Sequence, residues 1–195
     1  MMSDGKIGRA DLFAALRDHA GQRPEKGLRL QMPCGHASWL KTRQSGQTTG
    51  SMVSRLSRDG SLHWLTGTSS PCLSVFKPFV LGEEMISTGA LAGEGYDDQS
   101  LWWRHEHLHR LTLGDYARHR AMIEIARREL EAKFLSLSNG NLPTAAECQT
   151  TWDEHLAMFP DWINRITREA RRDRRGFFTR RYWQQQNLLD QMPPI

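Results

Sequence analysis

The run His63-Trp64-Leu65-Thr66-Gly67-Thr68-Ser69-Ser70-Pro71-Cys72-Leu73-Ser74-Val75-Phe76-Lys77-Pro78-Phe79 decides how the rest of the chain is read. Residues 61–66 form an extended candidate with Leu62 and Trp64 on one face, because side chains along a strand alternate with period two. Residues 48–56 are the natural partner. Between them, Ser57-Arg58-Asp59-Gly60 supplies an Asp-Gly pair that tolerates positive φ, so an antiparallel hairpin is expected with Met52, Ser54 and Leu56 sharing a face. Residues 72–80 read as a third strand, with Pro78 calling for an edge or a strand end because proline has no amide hydrogen to give a ladder.

Working outward, Asp11 is a plausible N-cap for a short helix with Leu12, Phe13 and Leu16 on one stripe, stopped by Gly21 and Pro24. Residues 28–32 can begin a strand, and Pro33, Gly35 and Ser45-Gly46 mark loops. The glycine-rich segment 82–99 is loop composition and separates two architectures. From Ser100 the pattern is helical, first to about Leu113, then from Gly114-Asp115 along a stripe of Tyr116, Ile123, Ala126, Leu130, Phe134 and Leu137. Asn139-Gly140 ends that helix. Thr144-Ala145-Ala146-Glu147 matches a capping box, and Trp152, Leu156, Phe159, Ile163 and Ile166 then recur at helical steps, with a bend or break expected near Pro160. The expected class is α+β: a sheet-forming part over residues 9–92 and a helical C-terminal region over residues 99–190 packing on it.

In 195 residues, 38% are hydrophobic and 25% charged, while seven Trp and seven Phe argue for a folded chain. A net charge of +4 does not by itself select nucleic acid as a partner. Three widely spaced cysteines, Cys34, Cys72 and Cys148, fit neither a disulfide framework nor a CxxC metal site, so a reducing, cytoplasmic setting is expected. No stretch approaches the roughly 18 apolar residues of a membrane span, and the first residues lack the apolar core of a signal peptide.

Three constellations could carry chemistry. His105-Glu106-His107-Leu108-His109 fits HExxH on a helix, where residues i and i+4 share a face, so that His105 and His109 could bind Zn²⁺ with Glu106 as a base for bound water. The longer zinc-peptidase pattern is absent, since Thr112 and Asp115 stand where its glycine and last histidine belong; Glu129 or Glu131 would have to complete the set. Arg171, Arg172, Arg174, Arg175, Arg180 and Arg181, interleaved with Phe177, Phe178, Tyr182 and Trp183, offer the cation-plus-ring chemistry of a single-stranded nucleic-acid site. A solvated face anchored by its aromatic residues is the plainer reading. Cys34 with His36, or Cys72 with His63, pairs a thiol with a base, against the commoner role of buried cysteine as a small hydrophobe.

The order of elements carries more than any of these. Cys34-Gly35-His36, then Gln47-Thr48-Thr49-Gly50-Ser51-Met52-Val53, then the 63–79 run, then Ser100-Leu101-Trp102-Trp103-Arg104-His105-Glu106 and Leu108-His109-Arg110 resemble the second half of the secernins and secernin-type cysteine dipeptidases, N-terminal-nucleophile hydrolases. The Asp11-Leu12-Phe13 and Leu16-Arg17-Asp18-His19 segment fits the helix before those strands, so the resemblance covers about residues 9–135. It implies a partial αββα sandwich and hydrolysis of small peptides or acyl amides by a cysteine at residue one of the mature chain. No cysteine precedes Cys34, so no catalytic residue is expected in this chain; His36, Thr49 and Ser51 are the candidate pocket residues. The expected partner is a missing N-terminal half or a complementing chain, with homo-oligomerisation as a further possibility and no cofactor. On this reading the HExxH match is incidental. A half sandwich would leave Val53, Leu62, Trp64 and Val75 without a facing layer, making the chain marginal alone.

Overall fold

The computed structural model describes residues 7–26, 32–40, 46–58, 60–82, 87, 89–138, 141–169 and 172–194. Residues 28–31 of the expected first strand, Asp59 of the hairpin turn and the Asn139-Gly140 helix stop lie outside the described residues. The chain is α+β. Helix α1 (Arg9–Leu16) precedes strands β1 (Met52–Arg55), β2 (Leu62–Leu65) and β3 (Lys77–Val80), which form one antiparallel sheet in the order β1-β2-β3. Helices α2 (Leu101–Thr112), α3 (Tyr116–Ser136), α4 (Ala145–Glu169) and α5 (Phe177–Leu189) follow.

Each strand is shorter than the sequence pattern suggests. Val53 pairs with Trp64 and Trp64 with Pro78, so the hairpin register places Val53, Trp64 and Pro78 on one face. Residues 72–74, expected to be strand, instead lie in a turn closed by Leu73 N–H donating to Ser70 O at 2.9 Å. Pro78 sits on β3, a sheet edge, as proline requires.

Both faces of the sheet are covered from within the chain. On one, Phe13 of α1 stacks on Phe76 at 4.0 Å and meets Trp64 edge-on at 6.3 Å, with Leu135 and Leu142 packed beside them. On the other, α4 lays Trp152 and His155 against Lys77. Val53 is therefore buried, and Leu62, Trp64 and Val75 are fully buried. The expectation that these positions lack a facing layer is corrected: helices of this chain supply the layer. A second cluster joins Cys34, Cys72, Leu73 and Val75 to Leu108, Ile123, Phe134, Phe159 and Trp162, so sheet-side loops and C-terminal helices share one core.

Helix boundaries follow local chemistry, with two corrections. Gly8, rather than Asp11, occupies the N-cap of α1; Asp11 lies a turn inside and its carboxylate accepts the Gly8 N–H at 2.8 Å. Pro160 does not interrupt α4, which runs for 25 residues; its missing N–H removes one bond from a helix held by a buried stripe of Trp152, Phe159, Trp162 and Ile166. The capping box forms as expected, with Thr144 N–H donating to Glu147 Oε2 at 2.8 Å and Glu147 N–H to Thr144 Oγ1 at 3.2 Å. At Gly67, φ is +61° and a Cβ would come within 2.5 Å of the Trp152 ring, so only glycine fits where the chain leaves β2. No helix among the described residues is long and apolar enough to cross a membrane.

Lys77 is the costliest residue in this arrangement. It is fully buried, its Nζ donating to Thr66 O at 2.5 Å, to Val75 O at 3.0 Å and facing His155 Nδ1 at 3.2 Å, 4.5 Å above the Trp152 ring. Burial lowers its pKa from 10.5 to about 7. Between those values the unfolded chain holds a proton that the folded chain has released, so folding stability rises with pH from about 7 upward. Urea unfolding at pH 7 and pH 8.5 is expected to give a gain on the order of 1–2 kcal/mol at the higher pH, and Lys77→Met is expected to flatten that difference. An equal pH response in both proteins would contradict it.

Candidate functional site

Three loops are stitched side by side by their own backbone. Cys34 N–H donates to Asp18 O at 3.3 Å, Thr48 N–H to Gly35 O at 3.0 Å, and Ser70 N–H to Thr48 O at 2.9 Å. The Thr48 hydroxyl adds a bond from Gly35 N–H at 2.9 Å and donates to Pro33 O at 2.8 Å. Arg17, at the end of α1, donates to Pro71 O at 2.8 Å and to Ser74 O at 2.9 Å, spanning the turn that holds Cys72. Its guanidinium also pairs with Glu131 of α3. These contacts fix His19, two residues beyond Arg17, over Cys72.

Behind the loops stands α2. Glu106 is fully buried, and its carboxylate accepts from Gln47 Nε2 at 2.6 Å, Ser69 Oγ at 2.7 Å, Arg110 Nε at 2.8 Å and His109 Nδ1 at 3.1 Å. Burial alone would raise its pKa, but the hydrogen bonds from His109 and Arg110 and the guanidinium charge outweigh that and hold the carboxyl below its ordinary range. An ionised carboxylate only accepts, so His109 carries its proton on Nδ1. In its neutral form His109 then accepts at Nε2, which lies 2.9 Å from His36 Nδ1. His36 is therefore protonated on Nδ1, and burial lowers its pKa and keeps the ring neutral. The consequence is an unprotonated His36 Nε2 aimed away from α2 into the loops.

That nitrogen meets three other donor atoms. His19 Nε2 is 3.0 Å away, Cys72 Sγ 3.4 Å and Cys34 Sγ 3.5 Å. One donor atom from each of His19, Cys34, His36 and Cys72 lies within 4.8 Å of every other, the metal-capable group found among the described residues. Cys34, His36 and Cys72 are buried, and His19 is half-buried. Burial pushes the Cys34 thiol up. For Cys72, burial is outweighed by hydrogen bonds from Cys34, His19 and His36, which favour the thiolate. Tyr116 of α3 closes the group, its ring edge-on to both His19 and His36 at 5.5 Å.

The site opens sideways. His19 and Tyr116 line a cleft of about 1050 Å³ whose walls carry eight Arg or Lys side chains against four carboxylates. Part of the C-terminal arginine cluster lies here, internally paired: Arg174 with Asp115 at 3.1 Å, and Arg175 and Arg180 with Asp173 at 2.9 and 3.3 Å. Of the aromatic residues expected to anchor α5, Trp183 is buried against His109 and Arg110, whereas Phe177 and Phe178 are exposed.

The structure brings His36 to the centre and leaves the other expected pocket positions outside it. The carbonyl of Thr49 accepts from Trp102 Nε1 of α2 at 3.2 Å, and Ser51 N–H, just before β1, donates to Thr66 Oγ1 at 2.9 Å. The HExxH residues do not converge. His105 is buried against Phe159 and His155, with burial first and His109 second lowering its pKa to about 3, while His109 turns to His36 and Glu106 is committed to its four donors. Glu131, the possible third ligand, pairs with Arg17 and accepts the Phe76 N–H at 3.0 Å. His63 bonds Ser54 at 2.8 Å. Sequence reasoning missed His19 as a member, Gln47 and Ser69 as supports, and the union of Cys34 with Cys72; the Cys-x-His spacing was its one visible signal.

No family model, curated protein or solved structure matches the chain.

Removing the Glu106 charge tests the support. Because its folded pKa lies below the ordinary 4.5, the stability it contributes is present above that pH and is lost as pH falls through it. Glu106→Gln is expected to cost about 3 kcal/mol near neutrality, read by urea unfolding, and to lose less stability than the parent on acidification from pH 5 to pH 3. A variant as stable as the parent at pH 7 would contradict the assigned role.

Proposed function

We propose that the chain is the C-terminal portion of a secernin-like amidohydrolase acting on small peptides or acyl amides. Another polypeptide segment contributes the cysteine nucleophile, and this chain contributes the wall and floor of the substrate cleft. One observation carries the reading. Polar side chains from the separate segments that bear the resemblance (Cys34 and His36, Gln47, Ser69 and Cys72, Glu106 and His109) converge on a single buried network that ends at a cationic cleft. Folding alone does not favour such a network, since burying charged and polar groups is at best neutral against apolar packing.

Two further features support it. All three cysteines are buried, so none presents a thiol to a substrate in the cleft, and the chain is inactive alone. Their free state suits a reducing, cytoplasmic setting. The excess of guanidinium groups on the cleft walls suits a substrate carrying a carboxylate, which arginine recognises by paired N–H donors.

The reading is tested by titrating the chain with alanyl-alanine and with its C-terminal amide while following amide NMR shifts. The dipeptide is expected to bind at residues around His19, Tyr116 and Arg120, the amide to bind about tenfold more weakly, and Arg120→Gln to abolish the difference. Neither peptide is expected to be hydrolysed. Turnover by this chain alone that is lost in Cys34→Ser, or binding indifferent to the carboxylate, would contradict it.

A further inference from the structure

We propose that His19, Cys34, His36 and Cys72 form a tetrahedral zinc site that fastens together the segment after α1, the 34–36 loop and the turn at Cys72. The inference goes beyond the amidohydrolase reading and does not depend on it.

The first argument is valence. A ring nitrogen with one in-plane lone pair cannot satisfy three neighbours, yet His36 Nε2 is approached by His19 Nε2 and by two sulfurs at 3.0 to 3.5 Å. A cation at their common centre satisfies all four donors at once. Tetrahedral zinc, with Zn–S near 2.3 Å and Zn–N near 2.0–2.1 Å, places its ligand atoms about 3.3–3.8 Å apart. Two of the three distances from His36 Nε2, 3.4 and 3.5 Å, fall in that range, and the third, 3.0 Å to His19 Nε2, is a few tenths of an ångström short of it, which zinc would spread.

The second argument is orientation. The Glu106 to His109 to His36 chain leaves His36 with a proton on Nδ1 and a lone pair on Nε2, the tautomer a metal ligand needs. A histidine ligand whose other nitrogen donates to a buried acceptor is the usual outer support of a zinc centre. Two thiolates and two neutral imidazoles around Zn²⁺ sum to no net charge, so the assembly can be buried without a counter-ion.

The third argument is backbone strain. Four non-glycine residues among those described have positive φ: Ala20, Ala37, Ser70 and Gln191. Ala20 and Ala37 directly follow the ligands His19 and His36, and Ser70 precedes Cys72 by two. Such conformations are unfavourable for residues that carry a Cβ and persist where surrounding bonds over-determine them. A metal joining residues 53 positions apart in sequence, on loops without regular structure, supplies that constraint, and its binding energy is folding energy.

The 195-residue chain expressed with zinc in the medium and purified without chelator is expected to hold a single equivalent of zinc by plasma mass spectrometry, released as its thiols are titrated with a mercurial. Cobalt exchanged for zinc is expected to show the thiolate-to-cobalt charge-transfer band and the intense visible bands of a tetrahedral site. The double variant Cys34→Ser/Cys72→Ser is expected to be metal-free. Because loss of both thiols can prevent folding, His109→Ala is the second test: it touches no metal and is expected to weaken zinc 10–100-fold in chelator competition, whereas His105→Leu leaves the affinity unchanged. Reduced protein that takes up no Zn²⁺, a cobalt spectrum without the thiolate band, or zinc retained by the double variant overturns the site. Metal content is read without substrate, so a zinc-free chain that still binds alanyl-alanine refutes this site and leaves the amidohydrolase reading standing.

Discussion

A single buried carboxylate sets the direction of the whole site. Glu106 accepts four hydrogen bonds from three separate parts of the chain: the 47 loop, the 69 turn and its own helix. Because it can only accept, it dictates the tautomer of His109 and through it that of His36. The arginine on its other oxygen, Arg110, continues to Asn187 at 2.9 Å and Asp190 at 2.5 Å, so α5 is locked over the same network. Loops, α2 and α5 thus share one polar anchor, and the apolar core closes around it.

The sheet is subordinate to this arrangement. Its three short strands are gripped between α1 and α4, and the turn leaving β2 carries Ser69, Ser70 and Cys72 to the site before the chain returns as β3. Arg17 secures that turn by its carbonyls, and Gly67 gives it room beside Trp152. Lys77 on the opposite face of the sheet from Phe13 makes the α4 contact polar at its centre, which costs stability near neutrality that an apolar residue would not.

Periodicity and capping made the helices legible. The Thr144 and Glu147 pair, the Trp152 to Ile166 stripe and the break at Leu113–Asp115 all express local chemistry. The hairpin was legible for the same reason, through alternation about Gly60. The site was only partly so. Cys34 and His36 stand two apart and could be noticed, but Cys72 lies in a turn that reads as strand, and His19 lies beyond a helix end in a segment with no pattern of its own. Their meeting is set by backbone bonds between loops, Asp18 to Cys34 and Thr48 to Ser70, which leave no periodic trace. HExxH, the most conspicuous motif and incidental on the sequence reading, does not assemble: helical spacing aligned His105 and His109, while tertiary packing gave them different neighbours. The burial of Val53, Leu62 and Trp64 was hidden because their cover, Phe13 of α1 with Leu135 and Leu142, is remote in sequence.

The most direct measurement is a crystal structure of the zinc-grown protein with diffraction recorded on both sides of the zinc absorption edge. The account predicts one anomalous peak at the centre of His19, Cys34, His36 and Cys72, with His36 Nδ1 still bonded to His109. An empty centre, with Cys34 and Cys72 joined as a disulfide or with the His36 ring turned away from α2, would contradict it.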